Sequence, residues 1–161
     1  MYHMIILLLI LTLNFLYAWP DEHPTLDQKN MMVDEVNKIR LEGCYCGIKV
    51  MTPVGKITWN EKLYQSALNH AKDMNEYHFF GHFSKEGLDI GKRIDLAGYR
   101  WLVAGENLGE GQKEFNEVLN DWLKSYTHCK MLMNPKVDEM AIAKYDKYWV
   151  QHFGKQAPGQ E

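Results

Sequence analysis

Met140-Ala141-Ile142-Ala143-Lys144-Tyr145-Asp146-Lys147-Tyr148-Trp149-Val150-Gln151-His152-Phe153 carries the change of period that sets the fold class. Met140, Ile142 and Lys144 alternate with Ala141, Ala143 and Tyr145, a period of two that sends successive side chains to opposite faces of a sheet. Asp146-Lys147 supplies a turn, and residues 148–153 have the aromatic and β-branched composition of a strand. Together they predict an antiparallel hairpin. Upstream the period is helical. Thr25 with Gln28 three positions later makes a capping-box pattern, and Met32, Val36 and Ile39 then recur at helical spacing until Gly43, a natural stop. Asn60 is placed to cap a second helix with the stripe Leu63, Ala67, His70, Ala71 and Met74. A shorter helix is expected over 90–97, ending at Gly98. Glu114 opens a fourth, whose Phe115, Val118, Leu119 and Trp122 face the core. Residues 44–58 hold a proline, glycines and two cysteines and read as a loop. Helices packed on one hairpin make a single α+β domain.

The N-terminus reads as an export signal. Residues 5–16 are apolar except for Thr12 and Asn14, Ala18 offers a small residue at a cleavage point, and Trp19-Pro20-Asp21 opens a polar stretch. No Lys or Arg precedes the apolar run, which departs from the usual pattern, and an uncleaved anchor is the alternative. A cleaved segment 1–18 leaves a polar leader over 19–26 and enough chain for one core. Lys plus Arg number 18 against 21 Asp plus Glu, a net charge of −3, with no basic block or stripe. A mildly acidic chain without a basic face is a poor nucleic-acid binder. The expected location is therefore secreted, periplasmic or extracellular, with no stable membrane span after cleavage. Of the three cysteines, Cys44 and Cys46 are too close to bond each other, so one of them is expected to bond Cys129.

The chemistry-bearing residues lie in Gly81-His82-Phe83-Ser84, Gly105-Glu106-Asn107-Leu108 and Trp122-Leu123-Lys124-Ser125-Tyr126-Thr127-His128-Cys129. His82, Glu106 and His128 are too far apart to share one helix face, so only the fold can bring them together. Two imidazoles and a carboxylate in one cleft would bind a metal such as zinc or hold a polar ligand. Ser125 and His128, three apart, could imitate a Ser-His-acid relay with Glu106, but no nucleophile elbow or oxyanion hole accompanies them.

Taken in order, Val36 to Arg40, Trp59 to Leu63, Ala67 to Met74, the three motifs above, Gly98-Tyr99, Tyr148 to Gln151 and Phe153-Gly154 form a specific set. The chain resembles the CAP superfamily of SCP-like proteins (cysteine-rich secretory, antigen and pathogenesis-related relatives), and its short bacterial branch in particular. The resemblance covers residues 27–154 and leaves 155–161 as a polar tail. It implies a three-layer α-β-α sandwich, with a small antiparallel sheet between helical layers and a cleft on one side. The fuller eukaryotic pattern places two histidines and two glutamates in that cleft. Here His82 and Glu106 match, whereas Ser125 stands for the second glutamate and Tyr148 for the second histidine. His128 matches the histidine of the bacterial branch. The cleft implied is thus His82, Glu106, His128, Ser125 and Tyr148, with His82, Glu106 and His128 as the metal-ligand candidates. The resemblance also implies a Cys46–Cys129 disulfide, with Cys44 free. The expected function is non-enzymatic binding of a small lipid-like ligand, a divalent metal, or an extracellular or envelope protein. A metal-dependent hydrolase of envelope polymers or peptides, and a purely structural interaction module, are the alternatives.

Overall fold

In the computed structural model, which describes residues 23–159, the chain runs α1 (Leu26–Glu42), β1 (Cys44–Cys46), β2 (Lys49–Met51), β3 (Thr58–Trp59), α2 (Glu61–Glu76), α3 (Ile90–Leu96), β4 (Trp101–Glu110), α4 (Phe115–Lys124), α5 (Tyr126–Leu132), β5 (Glu139–Tyr145) and β6 (Tyr148–Gln156). The expected signal segment, 1–18, and the first half of the leader, 19–22, lie outside the described residues. Among those described, no helix is long and apolar enough to cross a membrane.

The helix starts form as their caps dictate. The Thr25 hydroxyl accepts from the Gln28 amide, and the Gln28 side chain accepts from the Thr25 amide at 2.8 Å, so two orphan donors are satisfied reciprocally. Asn60 accepts from the amides of Lys62 and Leu63 and starts α2. β5 and β6 pair antiparallel from Glu139–Gly154 to Tyr145–Tyr148.

Four sequence expectations need correction. Residues 44–58 are not a plain loop: β1 and β2 form a small hairpin, and β3 pairs parallel with β5, so the main sheet is mixed. Its order is β3-β5-β6-β4. The Gly105–Leu108 motif, over which the sequence predicts no strand, lies inside β4, an edge strand paired antiparallel with β6. A fifth helix, α5, follows α4 directly across Ser125. Finally, β6 continues two residues past Gly154 into the expected tail.

The alternation of the hairpin sorts the core into two layers. Met140 and Ile142 of β5, with Trp149 and Phe153 of β6, pack against α1, α4 and Leu132 of α5. Ala141, Ala143, Tyr148 and Val150 turn the other way onto α2 and Ile94 of α3, joined there by Leu108 of β4. The three-layer sandwich follows, with helices on both faces of the sheet. Close packing explains two motif glycines. A Cβ at Gly105 would collide with the Met131 side chain of α5, and one at Gly154 with the Tyr99 ring.

Candidate functional site

Strand parity places Glu106 on the α2/α3 face, together with Leu108, while Asn107 turns to the α5 face. Directly across the ladder from Glu106 is His152 of β6. β4 has a neighbour on one side only, so the Glu106 carboxylate is buried (2% exposed) at the margin of the sheet. Three donors fill it. His82 Nδ1 donates to Oε1 at 2.7 Å, and His152 Nε2 and Arg93 Nη1 both donate to Oε2 at 2.9 Å.

The same helices clamp the loop that carries His82. His70 of α2 donates from Nε2 to the Gly81 carbonyl at 2.9 Å, and its ring nitrogen lies 3.9 Å from Glu106 Oε2. Arg93 of α3 donates from Nη2 to the His82 carbonyl at 2.8 Å. Residues 81 and 82 are thus held by their carbonyls from two directions, and the imidazole of His82 is held by Glu106. That is a preorganised side chain, locked by the groups around it.

Electrostatics divides the histidines by role. Burial alone would raise the Glu106 pKa, but the hydrogen bonds from His152 and His82 and the Arg93 charge outweigh it, holding the carboxyl well below the usual range. It is therefore ionised, which offsets the buried Arg93 charge. His152 is fully buried, and burial, the largest effect, lowers its pKa despite Glu106. Burial and the Arg93 charge push His70 down to about 4. Both are neutral donors. His82, whose side chain is 58% exposed, goes the other way, raised first by its hydrogen bond to Glu106.

His128 reaches this neighbourhood from the other face of the sheet. Its carbonyl accepts from Asn107 Nδ2 at 3.2 Å, an amide that also bonds Gln151 of β6. Burial lowers its pKa, and so does the charge of His82. The neighbouring Cys129 is disulfide-bonded to Cys46, which ties α5 to β1. Ser125 sits at the start of α5 with its hydroxyl 3.2 Å from that of Thr127, a pairing with no part for His128. Tyr148 is buried and stacks on Phe80, two residues before His82, at 6.3 Å between ring centres. It supports the loop from beneath.

A metal fits the expected triad poorly as the side chains stand. Both Glu106 oxygens are occupied, and the ligand atoms of His82, Glu106 and His128 are not gathered within 4.8 Å of one another. Among the described residues, the group that is so gathered is Cys44, Cys46 and Cys129, two of them bonded as a disulfide. Sequence reasoning missed Arg93 and His152 as partners of Glu106. The available signal was parity: His152 shares the face of Tyr148 and Val150, where a polar side chain needs a buried partner.

The CAP family of cysteine-rich secretory proteins matches residues 33–153, and the chain belongs to that family. It is 28% identical over 108 residues to the uncharacterized membrane protein YlbC of Bacillus subtilis, spanning 67% of this chain and 31% of that protein. Its fold is shared with an extracellular SCP-domain protein of Bacillus anthracis, at TM-score 0.70 and 24% identity over 83% of this chain and 45% of that one. An outer surface protein of Borrelia burgdorferi superposes at TM-score 0.67 and 22% identity, covering 84% of this chain and 98% of its own. The chain thus spans about a third of the length of the Bacillus subtilis relatives it matches, whereas the Borrelia protein is matched along almost all its length.

Proposed function

We propose that this CAP domain is an exported, non-enzymatic binding module. Its cleft, at the margin of β4, takes a small amphiphilic ligand whose polar head meets His82 and His128. The observation that supports this reading is the engagement of both Glu106 oxygens by the protein's own side chains. Three donors, two of them on Oε2, commit the carboxylate to holding Arg93 and His152 and to fixing and charging His82. The imidazole keeps its second nitrogen for a ligand. Phe80 and Phe83, 48% and 63% exposed, flank His82 in sequence and offer apolar surface for a lipid-like tail. Export of the domain is supported by two of its structural relatives, one an extracellular and one an outer surface protein.

Calorimetry with a medium-chain fatty acid tests the proposal. Binding is expected to be tighter at pH 6 than at pH 8, because protonated His82 attracts the carboxylate, and to be lost in His82→Ala and His128→Ala. No heat at either pH would refute it. Zinc binding lost in the same two variants, without fatty-acid binding, would favour the metal reading instead. Clearing of a cell-wall polymer gel, abolished by chelator, would replace the non-enzymatic reading with the hydrolase one.

A further inference from the structure

β4 is an edge strand, and hydrogen bonds elsewhere in the sheet fix which way its main-chain groups point. The Met140 carbonyl accepts from the Asn60 amide at 2.9 Å, so Met140 turns its main chain toward β3, and its neighbours Glu139 and Ala141 turn theirs toward β6. Their ladder partners Gly154 and His152 therefore face β5, which leaves Phe153 and Gln151 facing β4. These two bond Gly105 and Asn107, the residues across from them. Ala104, Glu106 and Leu108 then direct their N–H and C=O groups away from the sheet. The far end agrees, because the Leu108 carbonyl accepts from Trp122 Nε1 of α4 at 2.8 Å.

Ala104 and Glu106 have no counterpart of Trp122. Among the described residues, no group bonds their main chain on the open side. Glu106 is half-buried although its side chain is only 2% exposed, so the part of it that meets solvent is main chain. Ala104 is half-buried too. A bulge over residues 101–103 bounds this open stretch at one end, and the Trp122 contact bounds it at the other. His82, on Glu106, stands on one face of it, and Asn107, bonded to the His128 carbonyl, turns to the other.

Two donors and two acceptors repeating at every second residue are matched by the main chain of another extended strand. A second copy of the domain is disfavoured. The open stretch of three residues is about 10 Å long. Pairing over that length buries far less than the roughly 1,200 Å² of a stable dimer. Trp101 and Leu102, 39% and 54% exposed, adjoin the stretch, and Met131 lies over Gly105, so apolar surface awaits alternate side chains of the added strand. We infer that residues 104–106 form a strand-addition site for an extended peptide segment of a partner protein, apolar at alternate positions. The site does not rest on the fatty-acid reading of the cleft, since none of its four main-chain groups belongs to His82 or His128.

Amide exchange followed by NMR on the isotope-labelled protein tests both the premise and the site. Without peptide, the amides of Gly105 and Asn107 should exchange on the order of 100-fold more slowly than those of Ala104 and Glu106. The probe is a capped pentapeptide of alternating threonine and valine. It should bind with a Kd of about 1 mM or tighter, slow exchange at Ala104 and Glu106, and lose binding when its own amides are N-methylated. Proline is tolerated where a strand N–H faces outward, so Ala104→Pro should fold yet bind the peptide about tenfold more weakly or worse. Should that variant not fold, exchange at the two native amides decides. Fatty-acid binding can fail while all of these results hold. Ala104 and Glu106 amides as protected as their neighbours in the free protein, no peptide binding at about 10 mM, or equal binding of the N-methylated peptide would each overturn the inference. Protection that grows with protein concentration alone would overturn it in favour of a second copy.

Discussion

Replacing Cys46 by serine should damage the protein far less than replacing Cys129, and the reason is the third sulfur. The Cys46–Cys129 bond closes a separation of 83 residues. In the chain-entropy model such a loop contributes about 4.5 kcal/mol at 25 °C. Cys44 Sγ lies 3.6 Å from Cys129 Sγ, across a separation of 85, and two extra residues change the loop contribution by less than about 0.1 kcal/mol. Cys44 and Cys46 flank Tyr45 on β1, so strand periodicity turns both to the same side, toward α5. In Cys46→Ser, Cys44 can therefore take over Cys129, with a remaining loss of about 1–2 kcal/mol from the disturbed buried site. In Cys129→Ser neither bond exists, and the full 4–5 kcal/mol or so is lost. Urea melts give the two free-energy losses, and thiol counting with peptide mapping gives the pairing. One free thiol is expected in the native chain, none in Cys46→Ser and two in Cys129→Ser. Equal losses in the two variants, with two free thiols in each, would refute the reasoning. Burial raises the Cys44 pKa, so little thiolate exists at neutral pH and exchange in the native protein should be slow, quickening as pH rises.

Further outcomes follow from the buried charges and the close contacts. Glu106→Gln removes the carboxylate that matches Arg93 and should cost on the order of 3–5 kcal/mol in a denaturant melt, with the His82 titration followed by NMR moving to lower pH. A loss below about 1 kcal/mol would contradict the account of Arg93. Stability should fall as pH drops from about 6.5 toward 4, because unfolded histidines take up protons there while His70, held at about 4, and His152 do not. His70 alone is worth roughly 3 kcal/mol over that window, so His70→Gln should flatten the profile, and an unaltered slope would count against it. Gly105→Ala should destabilise by about 1–3 kcal/mol through its collision with Met131, and Met131→Ala should recover part of that in a double-mutant cycle.

What could be read from the residues was local. The Thr25–Gln28 box, the Asn60 cap and the stripes of α2 and α4 specify their helices with short-range chemistry, and the alternation over 140–153 specifies the hairpin. β4 escaped because its strand character is supplied by its neighbours. Gly105 and Gly109 weaken any strand propensity, and both are demanded by side chains on other elements, Met131 and Val118. The hairpin of β1 and β2 was hidden in the same way, by a composition typical of loops. The contact of His82 with Glu106 was expected from family motifs. Arg93 and His152 were not, because their approach to Glu106 depends on strand register and on the placement of a short helix, neither of which is a local property.

That non-local shell decides how the cleft responds to pH. Four imidazoles stand around Glu106 and β4, and three of them are lowered: His152 by burial, His70 by burial and the Arg93 charge, His128 by burial and His82. Only His82 is raised, and it is the most exposed of the four. For His82 the folded state binds its proton more tightly than the unfolded chain, so its contribution is complete below the unfolded pKa and is lost as pH rises through the folded value. The buried histidines have the opposite sign and act at lower pH. At pH values between the folded pKa of His128 and that of His82, His82 is cationic on the loop fixed by Arg93 and His70, while His128 on α5 is neutral. In the proposed cleft a negatively charged head such as the fatty-acid carboxylate is matched best there, and its affinity should decline on the alkaline side with the same midpoint as the NMR titration of His82. If affinity and the His82 titration had different midpoints, the charge on His82 would not be what the ligand reads.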